Sequence, residues 1–291
     1  MTDREQGEWE RRDVRKRETR RRARRRLAVA VGVVLAAVVA VGVVASRRGS
    51  DPPVATAPPT VKLTFPEGLR REDMARLIEE KTNLSGQEYL AATAPGARGA
   101  ALAGLTAPTS LEGFLFPATY EIGTETTIQY LVDRQVQAYE RNAALVKMGF
   151  ARSKQLTPFD VLTIASMVER EVVVPSERPL VAGVIYNRLR ARMRLDIDAT
   201  VQYAVGEWRD LTAADLAVDS PYNTRKFAGL PPGPISNPGL ASLQAAAHPK
   251  ASGFLYYVAR NDGTGRHYFA RTPAEFEVLK AKARANAAKG P

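Results

Sequence analysis

Cysteine is absent from the 291 residues, and histidine occurs only twice. The missing cysteine excludes a disulfide framework, thiolate zinc sites and a cysteine nucleophile. The two histidines, His248 and His267, lie far apart in the sequence, and no motif joins them into a metal site. The sequence also lacks a phosphate-cradling glycine loop and a nucleophile elbow. The groups that remain as candidates for chemistry are carboxylates, amides and hydroxyls.

Positive charge dominates the chain, but the excess is concentrated at one end. The net charge is +11; residues 1–26 hold 12 Lys and Arg against 6 Asp and Glu, and the other 265 residues hold 30 against 25. A short basic tail of this kind either binds nucleic acid or lies beside a membrane. The segment that follows the tail decides between the two.

Residues 27–45 form an apolar run of 19 residues without a charge. As a helix this run spans roughly 28 Å, which matches the hydrocarbon thickness of a bilayer. Six of the seven residues before it are arginine, whereas only Arg47 and Arg48 follow it closely. The positive-inside rule then predicts a single-pass cell-membrane protein with a cytoplasmic basic arm at 1–26 and residues 46–291 exported. A cleaved signal peptide is the alternative, although the apolar run is longer than the usual h-region.

The basic arm is therefore expected to lie against the anionic headgroups of the cytoplasmic membrane, and not to bind nucleic acid. The exported part is predicted to be an α+β structure of two units behind a linker. Residues 46–60 are a Pro-rich linker with five Pro or Gly residues. Residues 61–105 predict a small β-α unit, and residues 106–291 predict a larger mixed α/β domain. In that domain we expect helices at 128–148, 157–171, 176–192 and 273–283, and strands at 254–259 and 267–269.

The helix predicted over 157–171 carries the most informative carboxylate of the chain. Thr157 is suited to cap the start of this helix. At about 100° per residue, Glu171 falls beside Ile164, within the apolar face. A partly desolvated glutamate has a raised pKa and is suited to general-acid chemistry near neutral pH. The alternatives are that Glu171 pairs with an arginine such as Arg178, or that the helix frays before Glu171.

Two further segments carry polar groups. A loop rich in Gly and Pro places Tyr222, Asn223 and Thr224 together, so that an aromatic ring, an amide and a hydroxyl could bind a sugar. A rigid surface loop without a binding role is the alternative. Asp196 and Asp198 are two residues apart, and a strand would place both on one face. One of them could be the second carboxylate of a glycosidase, and pairing with arginines is the alternative.

Five motifs follow one another between residue 61 and about residue 280. They are LEGFLFPATY at 111–120, ASMVEREVVVPSER at 165–178, VIYNRLRARMRLDIDATVQY at 184–203, YNTRKFAGLPPGPISNPG at 222–239 and SLQAAAHPKASGFLYYVA at 242–259. In this order and at this spacing the motifs resemble the endolytic murein transglycosylases of the MltG (YceG-like) family.

The resemblance implies a lyase that cuts the glycan strands of peptidoglycan internally, close to the membrane. One glutamate protonates the bond between N-acetylmuramic acid and N-acetylglucosamine, and then assists attack by the muramyl 6-hydroxyl, which leaves a 1,6-anhydro end. In the family's E-x-E motif this residue is the second glutamate, here Glu171. The resemblance also implies that no metal or cofactor is needed and that penicillin-binding synthases are partners. The motif positions expected to bind substrate are Asn187, Asp198, Tyr222, Asn223, Thr224 and Asn237.

Two features depart from the family pattern. Members usually carry a LysM-like module between the membrane helix and the core, and residues 61–105 are similar only to its strand–helix part, so a truncated module is expected. Ala118 stands where the family more often has Asp. Two other interpretations stay open. One is a non-catalytic glycan-binding or scaffold protein of the wall-synthesis machinery, and the other is a hydrolase that uses Glu171 with Asp196 or Asp198.

Overall fold

The computed structural model describes residues 60–96 and 110–289. The predicted cytoplasmic arm, the predicted membrane helix at 27–45 and all but the last residue of the predicted linker lie outside these ranges. Within the two described ranges, no helix is both long enough and apolar enough to cross a bilayer. Both ranges belong to one unit that spans 58–291.

Helices and two small antiparallel sheets make up the described ranges, which confirms the predicted α+β class. The strands are β1 (Val61–Thr64), β2 (Thr119–Ile122), β3 (Tyr256–Ala259) and β4 (His267–Ala270). The helices are α1 (Arg71–Lys81), α2 (Gly86–Ala92), α3 (Ile128–Ala143), α4 (Gly149–Ser153), α5 (Pro158–Glu171), α6 (Arg178–Arg190), α7 (Asp198–Val205), α8 (Ala213–Leu216), α9 (Leu240–Ala247) and α10 (Pro273–Ala287), with a 3-10 turn at Pro175–Glu177.

The first predicted strand pairs with a strand that the sequence analysis missed. β1 and β2 are antiparallel, with Val61 opposite Ile122 and Thr64 opposite Thr119. The hydroxyls of Thr64 and Thr119 lie 2.8 Å apart, which adds a side-chain bond to the ladder. The pairing joins segments on both sides of the predicted boundary at residue 105, and that boundary stays a prediction.

Helix α5 runs through the core and ends at Glu171. Its start is closed by a reciprocal cap: the Thr157 hydroxyl accepts from the Asp160 N–H at 3.1 Å, and Asp160 Oδ2 accepts from the Thr157 N–H at 2.8 Å. Every side chain over 161–168 is buried, and α6 and α9 pack against the helix. Because the helix continues through Glu171, the alternative in which it frays earlier is wrong.

The β3–β4 hairpin brings two functional side chains to the end of α5. Its strands are antiparallel, with Tyr257 opposite Phe269 and Ala259 opposite His267. Asn261 at the predicted turn adopts a left-handed conformation with φ of 53°, which suits a tight reversal. Helix α10 packs against both strands and holds the hairpin in place.

Several sequence predictions differ from the structure. The helix expected over 128–148 ends at Ala143, and the separate helix α4 follows it. Asp196 and Asp198 do not lie in a strand, because Asp196 has a left-handed φ of 51° and Asp198 begins α7. The two carboxylates therefore do not share a strand face. Helices α7, α8 and α9 were not predicted, since each is eight residues or fewer and carries little periodic signal.

Candidate active site

A cleft of about 610 Å³ opens where the C-terminal end of α5 meets the β3–β4 hairpin. Glu171 enters it from α5, Asp198 from the start of α7, and Tyr257 and His267 from the two strands. The cations that line the same cleft are Arg188, Arg194, Arg225 and Lys280. Of the seven site residues predicted from sequence, the cleft brings together Glu171 and Asp198.

The carboxyl of Glu171 is half-buried and accepts a hydrogen bond from the Tyr257 hydroxyl at 3.0 Å. Burial raises the pKa of Glu171 above its ordinary value, and the negative charge of Asp198 raises this pKa further. The Tyr257 hydroxyl, His267 and the Ala199 N–H lower the pKa of Glu171 in part. A carboxyl under these opposing influences can hold a proton and also release it, as a general acid must.

Arg178, the arginine expected from the sequence as an alternative partner of Glu171, binds a different carboxylate. Its Nη2 lies 3.1 Å from Oε1 of Glu169, and its Nε donates to Ser242 Oγ at 3.1 Å. Oε2 of Glu169 accepts from the Gly239 N–H at 2.9 Å. Glu169 and Arg178 therefore tie α5, α6 and the start of α9 together, and the pairing of Glu171 with Arg178 is wrong.

The hydroxyl of Tyr257 acts as a hydrogen-bond donor towards Glu171. Burial raises the pKa of Tyr257 well above its ordinary value, and the charge of Glu171 raises it further. The phenol is therefore neutral at physiological pH and donates a hydrogen bond to the carboxylate. This bond favours the charged form of Glu171 and opposes the effect of burial.

His267 is held beside Tyr257 by the buried carboxylate of Glu177. The Nδ1 atom of His267 lies 2.8 Å from Oε2 of Glu177, and the His267 N–H donates to the same oxygen at 3.1 Å. The imidazole meets the Tyr257 ring edge-on, with centroids 5.4 Å apart and an interplanar angle of 87°. The other histidine, His248, packs instead against Phe150 with ring centroids 6.1 Å apart. The two histidines thus belong to separate clusters.

Both aspartates near the cleft are paired with arginines, as one of the two sequence interpretations expected. Asp196 Oδ2 lies 3.2 Å from Nη1 of Arg188, and Asp198 forms an ion pair with Nε of Arg225. Arg188 also donates to the Leu195 carbonyl at 2.7 Å, so the same guanidinium fixes the turn that carries Asp196. Arg188 also donates to the Leu255 carbonyl at 2.6 Å, so it links the segment that carries Asp196 to the hairpin.

The predicted loop residues are engaged inside the protein. The Asn223 amide donates to two backbone carbonyls within 216–218, each at 3.0 Å. The buried Thr224 hydroxyl accepts at 3.1 Å from the backbone N–H just before α7. The ring of Tyr222 packs against Tyr203, with centroids 4.8 Å apart. Thr224 therefore fixes the residue before Asp198, and Asn223 holds the loop that precedes it in the sequence. The predicted contact of Tyr222, Asn223 and Thr224 with substrate stays a prediction.

The remaining two predicted residues also bind other parts of the chain. Asn237 accepts from the Leu115 N–H at 2.9 Å and donates to Oε1 of Glu112 at 2.8 Å, which joins two of the motifs. Asn187 donates to two carbonyls within 252–254, at 2.9 and 2.8 Å, and lines a separate cavity. Neither residue lines the cleft that contains Glu171, and substrate binding by either stays a prediction.

Sequence reasoning missed three groups around Glu171: Tyr257, His267 and Glu177. The aromatic segment at 254–259 was interpreted only as a strand, because a strand pattern does not indicate which distant residue it will face. His267 was considered only as a metal ligand. A signal was present in the quoted motifs, since Glu177 lies in one of them and Tyr257 in another, but their contacts join segments that are distant in the sequence.

A family model described as the YceG-like family matches residues 49–282. The chain belongs to the YceG-like family. Curated relatives named endolytic murein transglycosylase include one from Bacillus subtilis (strain 168), 37% identical over 174 residues that cover 59% of this chain and 48% of the relative. Another, from Streptococcus pneumoniae (strain ATCC BAA-255 / R6), is 34% identical over 256 residues that cover 79% of this chain and 46% of the relative. The chain spans about half the length of the curated relatives it matches.

The fold is shared with a solved member of the family. A crystal structure of a yceG-like protein from Listeria monocytogenes is similar with a TM-score of 0.68 and 35% sequence identity, over 77% of each chain. The family expected from the five motifs is therefore confirmed by both sequence and fold.

Proposed function

We propose that this chain is an endolytic lytic transglycosylase of peptidoglycan in which Glu171 is the general acid and base. The observation that carries the proposal is the position of Glu171 at the end of α5, where its carboxyl faces a cleft and has a raised pKa. The names of the relatives support the substrate class, since each is called an endolytic murein transglycosylase. The reaction is a carbon–oxygen lyase reaction at the bond between N-acetylmuramic acid and N-acetylglucosamine.

The reaction begins when neutral Glu171 gives its proton to the glycosidic oxygen. The bond between that oxygen and C1 of the muramyl ring breaks, and the N-acetylglucosamine side leaves as an alcohol. The Glu171 carboxylate then takes the proton of the muramyl 6-hydroxyl while the 6-oxygen attacks C1 and closes the 1,6-anhydro ring. Glu171 is protonated again at the end, so one group serves both steps and no water is consumed.

The charges around the cleft suit an anionic glycan. In peptidoglycan the lactyl group of N-acetylmuramic acid carries a stem peptide with free carboxylates, and the cations Arg188, Arg194, Arg225 and Lys280 line the cleft. Cations around a concave site raise the local concentration of an anionic substrate. Arg194 is the most accessible of the three arginines, with 58% of its side chain exposed, and we propose that it meets the substrate first. Asp198 is the predicted binding residue that this cleft contains.

The proposed location is the outer face of the cytoplasmic membrane. The apolar run 27–45 and the arginines before it support an anchor with a cytoplasmic N-terminus. An anchored cleft would act on strands close to the membrane, where penicillin-binding synthases make them. In the same proposal residues 61–105 are a truncated LysM-like unit and residues 106–291 are the catalytic domain.

The products of digestion test the proposal. The 291-residue chain is purified in detergent, incubated with uncrosslinked peptidoglycan strands, and the fragments are identified by mass spectrometry. Glu171→Gln keeps the shape of the side chain and removes its acid, and Glu88→Gln is the matched control because Glu88 is exposed on α2. We expect 1,6-anhydro ends from the parent chain and from Glu88→Gln, and no new ends from Glu171→Gln.

The two competing functions predict other products. Reducing ends in place of anhydro ends would identify a hydrolase that pairs Glu171 with Asp196 or Asp198. No cleavage by any of the three proteins, with glycan still retained by both parent and Glu171→Gln, would identify a binding or scaffold protein. Either result overturns the proposed lyase.

A further inference from the structure

Tyr257 lies between Glu171 and a buried pair, Glu177 with His267, that takes no part in the reaction described above. The hydroxyl of Tyr257 donates to Oε2 of Glu171, and its ring meets the edge of His267. Glu177 and His267 are each less than a tenth exposed. Burial of a carboxylate with an imidazole is costly unless the two groups are bonded to each other. Glu177 and His267 satisfy each other's polar groups, and they also pack behind the tyrosine that contacts Glu171. The pair can therefore hold Tyr257 in place.

We propose that Tyr257 is a positioning residue that fixes the Glu171 carboxyl for proton transfer, and that Glu177 and His267 brace Tyr257. The catalytic meaning of this inference rests on the proposed function. The contacts themselves do not, since they are present whatever the substrate is.

The position of Glu171 makes such a brace necessary. Glu171 is the last residue of α5, and a glutamate side chain there has several rotamers open to it. The Tyr257 hydrogen bond, together with the Ala199 N–H, selects one of these rotamers and sets the plane of the carboxyl. Proton transfer requires the acid within hydrogen-bond reach of the glycosidic oxygen, so a carboxyl that rotates freely loses rate without losing substrate affinity.

The brace is rigid because its parts are bonded at both ends. The Glu177 carboxylate accepts a hydrogen bond from the backbone N–H of His267 and is also bonded to Nδ1 of the same residue. These two bonds fix both the backbone and the imidazole ring of His267. Glu177 itself ends the 3-10 turn that links α5 to α6. The perpendicular imidazole then limits rotation of the Tyr257 ring, whose strand is already held in register by β4. The line of contacts runs from Glu177 through His267 and Tyr257 to Glu171.

Several charged and titratable groups act on Glu171, and each element around it contributes at least one. They are Tyr257 on β3, His267 on β4, Asp198 on α7 and Arg170 on its own helix, with Asp196, Arg188, Arg194, Arg225 and Lys280 elsewhere in the cleft. Tyr257 is distinguished from the other groups by its direct hydrogen bond to the carboxylate. Removing its hydroxyl therefore changes one contact and leaves every charge in place.

The first test is Tyr257→Phe in the full chain, with Tyr268→Phe as the matched control. Tyr268 lies on the paired strand opposite Val258, and its hydroxyl contacts Asn286 rather than the cleft. The pKa of Glu171 is measured by carbon NMR on the glutamate-labelled protein, with the Glu171 signal assigned from its loss in Glu171→Gln. We expect the pKa to move upward in Tyr257→Phe, because the charged form loses a donor, and to stay unchanged in Tyr268→Phe.

The kinetic readout separates positioning from binding. We expect Tyr257→Phe to lower kcat roughly 10-fold to 100-fold, as loss of a hydrogen bond to a charged group does, with KM changed less than about twofold. The alkaline limb of the pH–rate profile moves upward with the pKa of Glu171. An unchanged pKa together with unchanged kcat would overturn the inference, and so would a loss confined to KM.

The second test asks whether Glu177 and His267 act through Tyr257. Glu177→Gln retains the shape of the side chain and one acceptor for His267, so the fold has the best chance of surviving. We expect it to raise the pKa of Glu171 in the parent chain and to change nothing further in the Tyr257→Phe background, since the two substitutions interrupt one line of contacts. A fall in the pKa of Glu171, or a shift of equal size in both backgrounds, would show that the charges of Glu177 and His267 act on Glu171 directly, and would overturn the bracing role.

Failure of this inference can be told apart from failure of the proposed function. The NMR titration requires no turnover, so it tests the link between Tyr257 and Glu171 even if the chain cleaves no glycan. If Glu171→Gln is inactive while Tyr257→Phe matches the parent in both pKa and kcat, the proposed function stands and the positioning role is wrong.

Discussion

Tyr257 and Glu171 are 86 positions apart in the sequence, yet the hydroxyl of one lies 3.0 Å from the carboxylate of the other. The contact exists because α10 packs against the β3–β4 hairpin and β3 packs against α6, the helix that follows α5. It combines a desolvated carboxyl with a neutral donor that partly stabilises its charge. A glutamate held in this way can be protonated at a higher pH than a surface glutamate and can still lose its proton.

The pH dependence of cleavage follows from the raised pKa of Glu171. The reactive form of a general acid is protonated, so kcat/KM is expected to fall as pH rises through this pKa. Because burial raises the pKa of Glu171, the fall in kcat/KM is expected at a pH above 4.5, the ordinary pKa of a glutamate. A pH–rate profile of strand cleavage checks this. An alkaline limb centred at or below the ordinary value would contradict the desolvated acid that the cleft geometry describes.

The ion pair between Glu169 and Arg178 is expected to be important for stability. Its side chains are only 5% and 12% exposed, so Arg178→Met leaves a carboxylate buried without its cation. We expect a loss of about 3 kcal/mol in the free energy of unfolding, measured by denaturant midpoints with tryptophan fluorescence. Arg76→Met is the control, since that arginine is 64% exposed and is expected to cost less than about 1 kcal/mol. Equal losses in the two variants would contradict this assignment.

Gly113 is expected to tolerate no side chain. Its φ is 87°, and a Cβ there would lie 2.7 Å from two atoms of the Pro234 ring. Gly113→Ala therefore combines a disfavoured backbone conformation with a clash between two motifs, and we expect at least about 2 kcal/mol of destabilisation. Gly149→Ala is the matched control because nothing lies within 4 Å of its Cβ position. A Gly113→Ala chain as stable as the control would show that the two motifs are not tightly packed.

Glu112 is expected to make the fold less stable at alkaline pH. Burial raises the pKa of Glu112 from 4.5 to about 8, so the fold prefers the neutral carboxyl. Its stabilising contribution is full below the unfolded pKa and is lost as pH rises through the folded pKa. Between pH 4.5 and about 8, the urea midpoint of the parent is therefore expected to decline with rising pH. The midpoint of Glu112→Gln, whose amide cannot titrate, is expected to decline less. Parallel pH profiles for the two proteins would contradict a neutral Glu112.

Local signals predicted α5 and its carboxylate well. The capping residue Thr157, the apolar stripe and the position of Glu171 on that stripe depend only on residues close in sequence. The structure has the same cap and the same helix end, and Glu171 is half-buried at the cleft. The arginine expected as its alternative partner, Arg178, binds the neighbouring Glu169 instead, a difference of two positions that turns the side chain to another face.

Long-range features could not be predicted in the same way. β2 has four residues, and its partner β1 lies more than 50 positions away, so neither strand identifies the other by its pattern. Asp196 and Asp198 alternate like strand residues, but the buried Thr224 hydroxyl and Arg188 fold their segment into a turn before α7. Polar residues expected at the substrate satisfy backbone groups instead: Asn223 those of the preceding loop, and Asn237 that of Leu115, 122 positions away. Composition alone cannot show whether a side-chain amide binds substrate or satisfies a backbone group.

The rate of strand cleavage by Glu171→Gln, measured beside the parent at equal folded fraction, tests the role of Glu171 most directly. Loss of a general acid costs about 10²-fold to 10⁴-fold in kcat, so we expect the variant to release anhydro ends at least about 100 times more slowly. Binding of the strand is expected to persist, because the amide retains the shape of the side chain. A Glu171→Gln chain that cleaves at the parent's rate would show that another group supplies the proton.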